Sequence, residues 1–358
     1  MKLRCNKRRW QMITVEREQL LKELESVSAG LSSREVIEQS SCVVFRDGYV
    51  YTYNEEVACC QKTCLNIEGA VLADKLLSLL RKLTDKIIQV EIRKHKSRGR
   101  ELRVKGKGRW TAGFPIEKKI VLPIDAIKKP KKWLPIAENF SDAISLVGSC
   151  VGKDETQFHL TCIHLHPDWV EACDNFRAAR FKMQTGLKKS ILVRKEALKY
   201  VTSFGMTEFG MTKTWIHFKN LNGLILSCRL FIEEYPSLEG IIGVKGIKTS
   251  LPKGLIQATE KAALFADIDG EENNVVINLK PGKVTVVGQS VHGWYRRTEK
   301  IRYNKQPMCF TITPTVLIEI IEKYNECMLC GDKLRAGMGT NFSYVSSIGM
   351  PEDEEEKQ

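Results

Sequence analysis

At 358 residues the chain is too long for one ordinary hydrophobic core and fits two or three domains of roughly 100–200 residues each. Its 43% hydrophobic and 28% charged residues describe a folded chain rather than a disordered one, and no apolar run approaches the roughly 18 residues that a membrane-crossing helix needs. With 56 Lys and Arg against 43 Asp and Glu, the formal net charge of +13 favours a polyanionic partner, chiefly nucleic acid, over a neutral one. The basic stretch Met1 to Trp10 is followed by no apolar segment of signal-peptide type, so a cytoplasmic location without a membrane partner is expected. Twelve cysteines are then expected as reduced thiols. Cys327 and Cys330 form one C-x-x-C and Cys59, Cys60 and Cys64 a loose cluster, but a structural zinc site usually takes two such pairs, so no metal and no cofactor is expected. His164 and His166 alternate on a strand without an evident third ligand.

Taken in chain order, the elements fall into three copies of one pattern. The first opens with an amphipathic helix over Arg17 to Ser28, with Leu20, Leu21, Leu24 and Val27 on one face. A hairpin follows, Cys42 to Phe45 turning at Asp47-Gly48 into Tyr49 to Tyr51, then a second helix over Val71 to Leu83. Strands Ile87 to Ile92 and Glu101 to Lys105 close the copy. The basic stretch Arg93 to Arg109 between and beyond them reads as a hairpin with Lys96 to Arg100 at its tip rather than as an independent DNA-binding arm, and Gly106 and Gly108 suit a bulged strand.

The second copy repeats this with a helix over Asn139 to Cys150, carrying Phe140, Ala143, Ile144 and Val147. Its hairpin runs from His159 to Leu165 through Pro167-Asp168 to Glu171, its second helix spans Lys195 to Ser203, and strands lie at Thr214 to Phe218 and Leu224 to Leu230. The third has a helix over Lys253 to Ala266, a hairpin turning at Pro281-Gly282, a helix over Thr315 to Tyr324 and a shorter closing set ending at Phe342 to Ile348, so it looks abbreviated. Linkers rich in Lys and Pro (Ile127 to Pro135) and in Gly and Lys (Gly240 to Ser250) separate the copies. The period is domain-sized, and the expected domains are 1–130, 131–246 and 247–350, with 351–358 an acidic disordered tail. Each copy is expected to be an α+β unit of two helices backed by antiparallel sheet. Lys22, Arg81, Lys82, Lys199, Lys261 and Lys323 lie on the helices off the apolar stripes, which suits either a phosphate-facing surface or an ordinary solvated face.

Particular segments resemble the bacterial beta sliding clamp, the DNA polymerase III beta subunit family. Thr14-Val15-Glu16-Arg17-Glu18 with Leu20-Leu21-Lys22 and Leu24 is similar to that family's opening strand and helix. The likeness continues through Val27 to Arg34, the Val44 to Tyr53 hairpin and Leu102 to Trp110. Ala172 to Ala178 stands where the family has a threonine-aspartate-glycine-histidine-arginine-leucine segment, and Tyr235-Pro236-Ser237-Leu238 resembles its aromatic-proline-aspartate stretch. The resemblance covers nearly the whole chain. It implies a head-to-tail homodimer of three-domain protomers, a ring of six domains around double-stranded DNA that holds a DNA polymerase and a clamp loader. It further implies sequence-independent phosphate contacts from Lys22, Arg34, Arg81, Lys82, Lys153, Lys199, Lys261 and Lys323. A peptide-binding cleft would comprise Leu160, Phe176, Arg177, Pro236, Ile241 and Ile242, closed by Val345 and Ile348; plain core packing is the competing reading for Leu160 and Ile242. Asn175-Phe176 in place of glycine-histidine, and Gly240 where an arginine is common, put the peptide specificity in question.

Enzyme chemistry finds little support. Gly148 to Lys153 imitates a phosphate-binding loop but is one residue short between its glycines and has Asp154 where Ser or Thr belongs. Asp267-Ile268-Asp269-Gly270 imitates a calcium loop with its glycine misplaced. No nucleophile elbow, zinc-protease helix or dinucleotide fingerprint occurs in context, so no catalytic residue is assigned. The alternative to a clamp is a non-ring nucleic-acid-binding structural protein with the same repeats.

Overall fold

The computed structural model describes residues 12–95, 99–266, 274–324 and 326–349. The acidic tail 351–358, the start of the chain, the tip 96–98 and the calcium-loop imitation at 267–270 lie outside them. The fold is α+β, with antiparallel sheets and helices α1 (Arg17–Ser26), α2 (Ala73–Lys82), α3 (Phe140–Val147), α4 (Lys195–Ser203), α5 (Glu239–Ile242), α6 (Gly254–Ala263) and α7 (Pro314–Lys323). The chain divides into two compact units, one of Met1–Ser141 with Ile191–Ile232, the other of Asp142–Ser190 with Glu233–Gln358.

In the first unit a four-stranded sheet runs in the order Ile13–Glu16, Ile87–His95, Gly99–Lys105, Thr111–Pro115. The basic stretch is a hairpin, as expected, with Arg93 opposite Glu101 and His95 opposite Gly99. Its charge is partly internal: buried Glu91 takes Arg93 at 3.0 Å and Lys105 at 2.6 Å, and Glu101 takes Arg103 at 2.8 Å. Gly113 leaves room for Glu101, because a Cβ there would fall 2.1 Å from the Glu101 Oε1. Gly106 and Gly108 stand not in a bulged strand but in the connection after Lys105, against the Trp110 ring.

The unit's larger sheet has eight strands, in the order Gly69–Leu72, Cys42–Arg46, Tyr49–Tyr53, Val57–Lys62, Ile225–Arg229, Trp215–Asn220, Met206–Met211 and Leu134–Pro135. The first hairpin turns at Asp47 (φ 53°) and Gly48 (φ 75°), with Arg46 opposite Tyr49; two positive φ angles are what a tight turn between twisted strands requires. The first copy's sheet joins the second's where Cys59 lies opposite Leu226 and Cys60 opposite Ile225.

His217 is buried in this sheet, its Nδ1 2.8 Å from the Ser227 hydroxyl, and burial pushes its pKa down to about 4. A histidine held neutral when folded binds a proton more readily when unfolded, so its contribution is complete near pH 7 and is lost as pH falls from about 6.5 towards 4. His217→Asn is therefore expected to remove up to about 3 kcal/mol of the acid-induced fall in urea-unfolding stability across that window.

The second unit repeats the plan. A four-stranded sheet runs Gly293–Lys300, Lys283–Ser290, Val275–Lys280, Met308–Ile312, and a longer run orders Cys162–Leu165, Trp169–Cys173, Arg177–Lys182, Phe342–Ser347, Lys333–Met338, Cys327–Cys330 and Ile247–Thr249. The junction between copies recurs: Ala178 of the second copy lies opposite Val345 of the third. Three expectations are corrected here. The third copy is not abbreviated, since Gly293–Lys300, Met308–Ile312, Cys327–Cys330 and Lys333–Met338 complete it. The stretch Glu155–Thr161 is a 3-10 turn, so the second hairpin begins only at Cys162. Both linkers carry edge strands, Leu134–Pro135 and Ile247–Thr249.

Candidate functional site: an apolar cleft and exposed helix cations

The second unit's junction builds the cleft. Between Trp169–Cys173 and Arg177–Lys182 the chain turns on Asp174, whose Oδ1 accepts the backbone N–H groups of Phe176 (2.9 Å) and Arg177 (2.8 Å). This turn leaves Phe176 at the tip, 52% exposed. Arg177 bends back to Asp174 (3.0 Å) and to Glu319 on α7 (3.3 Å); burial opposes its charge, but Asp174 and Tyr344 outweigh that and keep it firmly cationic. On the opposite wall the Tyr235 hydroxyl accepts the Cys173 N–H at 2.8 Å and anchors Pro236, Leu238 and α5. Leu160, Cys173, Ala178, Leu238, Ile242 and Val345 form one buried cluster, with Ile241 and Tyr235 packed at its margin.

Above that cluster lies a pocket of about 330 Å³ bordered by Leu160, Phe176, Arg177, Pro236, Ile241 and Val345, so these sequence-assigned residues do come together. Ile242 and Ile348 do not line it: both are buried, and the Ile348 N–H donates to the Asp332 carbonyl. Lining residues that the sequence reading missed include Leu238, beside Pro236 in the quoted stretch, and Lys333, on a strand the reading did not find. A second depression of about 310 Å³ shares Leu160, Asp174, Phe176 and Arg177 with the first and extends to Lys153, which places that lysine beside the cleft.

Behind the α5 wall a polar chain, buried at Glu171 and Arg180, runs from His164 to Glu171 (2.7 Å), from Glu171 to Arg180 (2.7 Å) and from Arg180 out to the exposed Glu239 on α5 (2.5 Å). Arg180 lies 4.4 Å from the Trp169 ring centre, and His166 stacks on the same ring at 3.5 Å. Both histidines are thus occupied by protein groups, and among the described residues no set of three or more His, Cys, Asp or Glu side chains could hold a metal. The Gly152 N–H donates to the Leu160 carbonyl at 2.8 Å, so it is not free to cradle a phosphate.

The eight cations assigned to DNA are all exposed. Lys22 on α1, Arg34, Arg81 and Lys82 in the last turn of α2, and Lys199 on α4 belong to the first unit; Lys153, Lys261 on α6 and Lys323 on α7 belong to the second. Arg81 pairs with Glu25 at 2.9 Å, Lys199 with Glu196 and Lys323 with Glu319 at 2.7 Å. The Arg81 and Lys199 pairs are exposed on both sides, hence weak and salt-sensitive, and leave those cations available to phosphate, whereas Glu319 is only 13% exposed and also holds Arg177, so Lys323 is tied more firmly.

An α+β chain whose antiparallel sheets join at repeated copy-to-copy junctions has the fold of the bacterial DNA sliding clamps. Among solved structures, it superposes on a DnaN sliding clamp (DNA polymerase III subunit beta) from Pseudomonas aeruginosa bound to griselimycin with a TM-score of 0.81. Identity is 14%, over 95% of this chain and 99% of that one. The DNA polymerase III beta subunit from Thermotoga maritima gives 0.78 at 14% identity, over 94% and 98% of the two chains. The Bacillus subtilis sliding clamp gives 0.79 at 13%, over 95% and 99%. No protein-family model and no curated protein matches the sequence. No helix among the described residues is long and apolar enough to cross a membrane.

Proposed function

We propose that the protein is a DNA sliding clamp, a non-catalytic processivity factor that closes as a homodimer around duplex DNA and tethers a polymerase and a clamp loader. The observation that carries this reading is the preformed apolar cleft at the second-to-third copy junction of a clamp-fold chain: a protein without an active site acts by holding others, and such a cleft takes hydrophobic anchors from flexible partners. The protomer is read as domains 1–130, 131–246 and 247–350. The open edges Thr111–Pro115 and Gly293–Lys300 of the four-stranded sheets support sheet-to-sheet joining of two copies, because an unpaired strand edge is a template for another. Enclosure supplies retention, while Lys22, Arg34, Arg81, Lys82, Lys153, Lys199, Lys261 and Lys323 supply weak phosphate contacts without base readout.

Reversing Arg81 and Lys82 to Glu tests the DNA path. Both are exposed, so light scattering is expected to show an unchanged dimer, while the half-life on circular DNA falls several-fold at low salt and converges with the native value as salt rises. Equal half-lives across the salt series remove both residues from the path.

A further inference from the structure

The Lys- and Pro-rich stretch 127–135 is not a loose linker. Leu134 and Pro135 pair with Phe209 and Glu208, and Ile127 packs against the buried cluster that includes Val44, Tyr53 and Trp215. Pro130 is buried, and it and the Lys132 carbonyl fill the space where a side chain at position 210 would stand, which is why glycine occupies that position. This anchoring holds Lys128, Lys129, Lys131 and Lys132 on the surface, all exposed and none with an ion-pair partner among the described residues. Two rings flank the strap: Lys129 Nζ lies 5.3 Å from the Tyr49 ring centre and Lys219 Nζ 5.6 Å from that of Trp133. The strap's sheet face is opposite to the one receiving α1. Thr52 donates to the Val27 carbonyl at the end of α1, whereas Tyr49, Tyr51 and Tyr53 alternate onto the other side.

We propose that this lysine strap is a second nucleic-acid-binding surface, specific for single-stranded DNA and separate from the helix cations. Four cations held within five residues, at most roughly 13 Å of chain, match a flexible polyanion. Tyr49 and Trp133, each half-buried with an ammonium over its ring, become stacking surfaces for unpaired bases once Lys129 and Lys219 turn to phosphate, whereas a duplex keeps its bases stacked within itself. The proposal does not depend on ring closure.

The full-length protein tests it by fluorescence anisotropy with a labelled oligothymidylate of about 15 nucleotides, a linear duplex of the same length, and poly-L-glutamate as the acidic-polypeptide control. Lys128→Gln, Lys129→Gln, Lys131→Gln and Lys132→Gln combined are expected to weaken oligothymidylate binding roughly tenfold at low salt and to flatten its salt slope by about 2 to 3, with duplex binding changed less than about twofold. Arginine at the same four positions restores binding, and Arg81→Glu with Lys82→Glu shows the reverse pattern, lowering duplex binding more than oligothymidylate binding; an unaltered melting temperature shows that the variants fold. Unchanged oligothymidylate affinity in the glutamine variant overturns the proposal. Equal loss of single-stranded and duplex binding does so as well, as does a strap that holds poly-L-glutamate in preference to oligothymidylate.

Discussion

Ile241→Asp is expected to abolish most polymerase stimulation while leaving the fold and the dimer in place. Ile241 stands on α5 at the margin of the apolar cluster and is only partly buried, so a charge there meets water as well as the pocket. A hydrophobic anchor buried against this wall contributes roughly 1.5–3 kcal/mol, which corresponds to a loss of about 10- to 100-fold in partner affinity. The check is primer extension on a primed circular template with the cognate polymerase, beside a melting curve. Full stimulation by a folded, dimeric Ile241→Asp protein would show that the cleft is not the partner site.

The second large effect is on stability. Arg180→Ala is expected to cost about 3 kcal/mol, because it leaves Glu171, only 2% exposed, with the His164 hydrogen bond alone where it had a guanidinium as well. Glu239→Gln cuts the same chain at its exposed end and is expected to cost about 1 kcal/mol or less. Burial alone would raise the Glu171 pKa, but the hydrogen bonds and charges of His164 and Arg180 outweigh it and hold the carboxyl below the usual carboxylate range. A depressed carboxyl stabilises the fold above the ordinary glutamate range and loses that contribution as pH falls through the folded value. Native protein should therefore lose stability below about pH 4.5 more steeply than Glu171→Gln. Urea denaturation of the four proteins over a pH series measures both effects; a loss under about 1 kcal/mol for Arg180→Ala would mean that the chain is solvated rather than buried.

The parts of the fold legible in the sequence were those set by local chemistry. Phe140, Ala143, Ile144 and Val147 recur at helical spacing, and all four are buried on α3. The Asp47-Gly48 and Pro281-Gly282 turns were legible because a tight hairpin demands residues tolerant of unusual φ, and α4 begins and ends where its apolar spacing does. The missed strands owe their state to partners distant in sequence. Gly293–Lys300 is an exposed edge strand whose Trp294, Arg296 and Arg297 break any apolar alternation, and Cys327–Cys330 is too short to show a period. Leu134–Pro135 and Ile247–Thr249 resemble linkers because their pairing, with Phe209 and with Leu329, is wholly non-local.

The candidate site divides along the same line. Phe176, Arg177 and Pro236 were legible through the segments resembling sliding clamps, and the fold brings them to one pocket. That Ile242 and Ile348 lie beneath the surface was not legible, since an apolar residue at a junction has the same sequence signature whether it faces a pocket or the core. The neighbourhood of Lys153 was hidden for a different reason: its pocket depends on the turn at Asp174, which no spacing near Lys153 encodes.

The central claim is that the protein holds DNA by encircling it, and linearisation tests this most directly. Protein loaded by its clamp loader onto nicked circular duplex is challenged with salt high enough to screen phosphate contacts, and the DNA is then cut once with a restriction enzyme. Enclosure predicts that the protein stays on the circle through the salt challenge and leaves within seconds to minutes of the cut by sliding off the ends. Release from the intact circle at the same rate as from the linear molecule would contradict it, and would mean that the fold is used to bind DNA from one side.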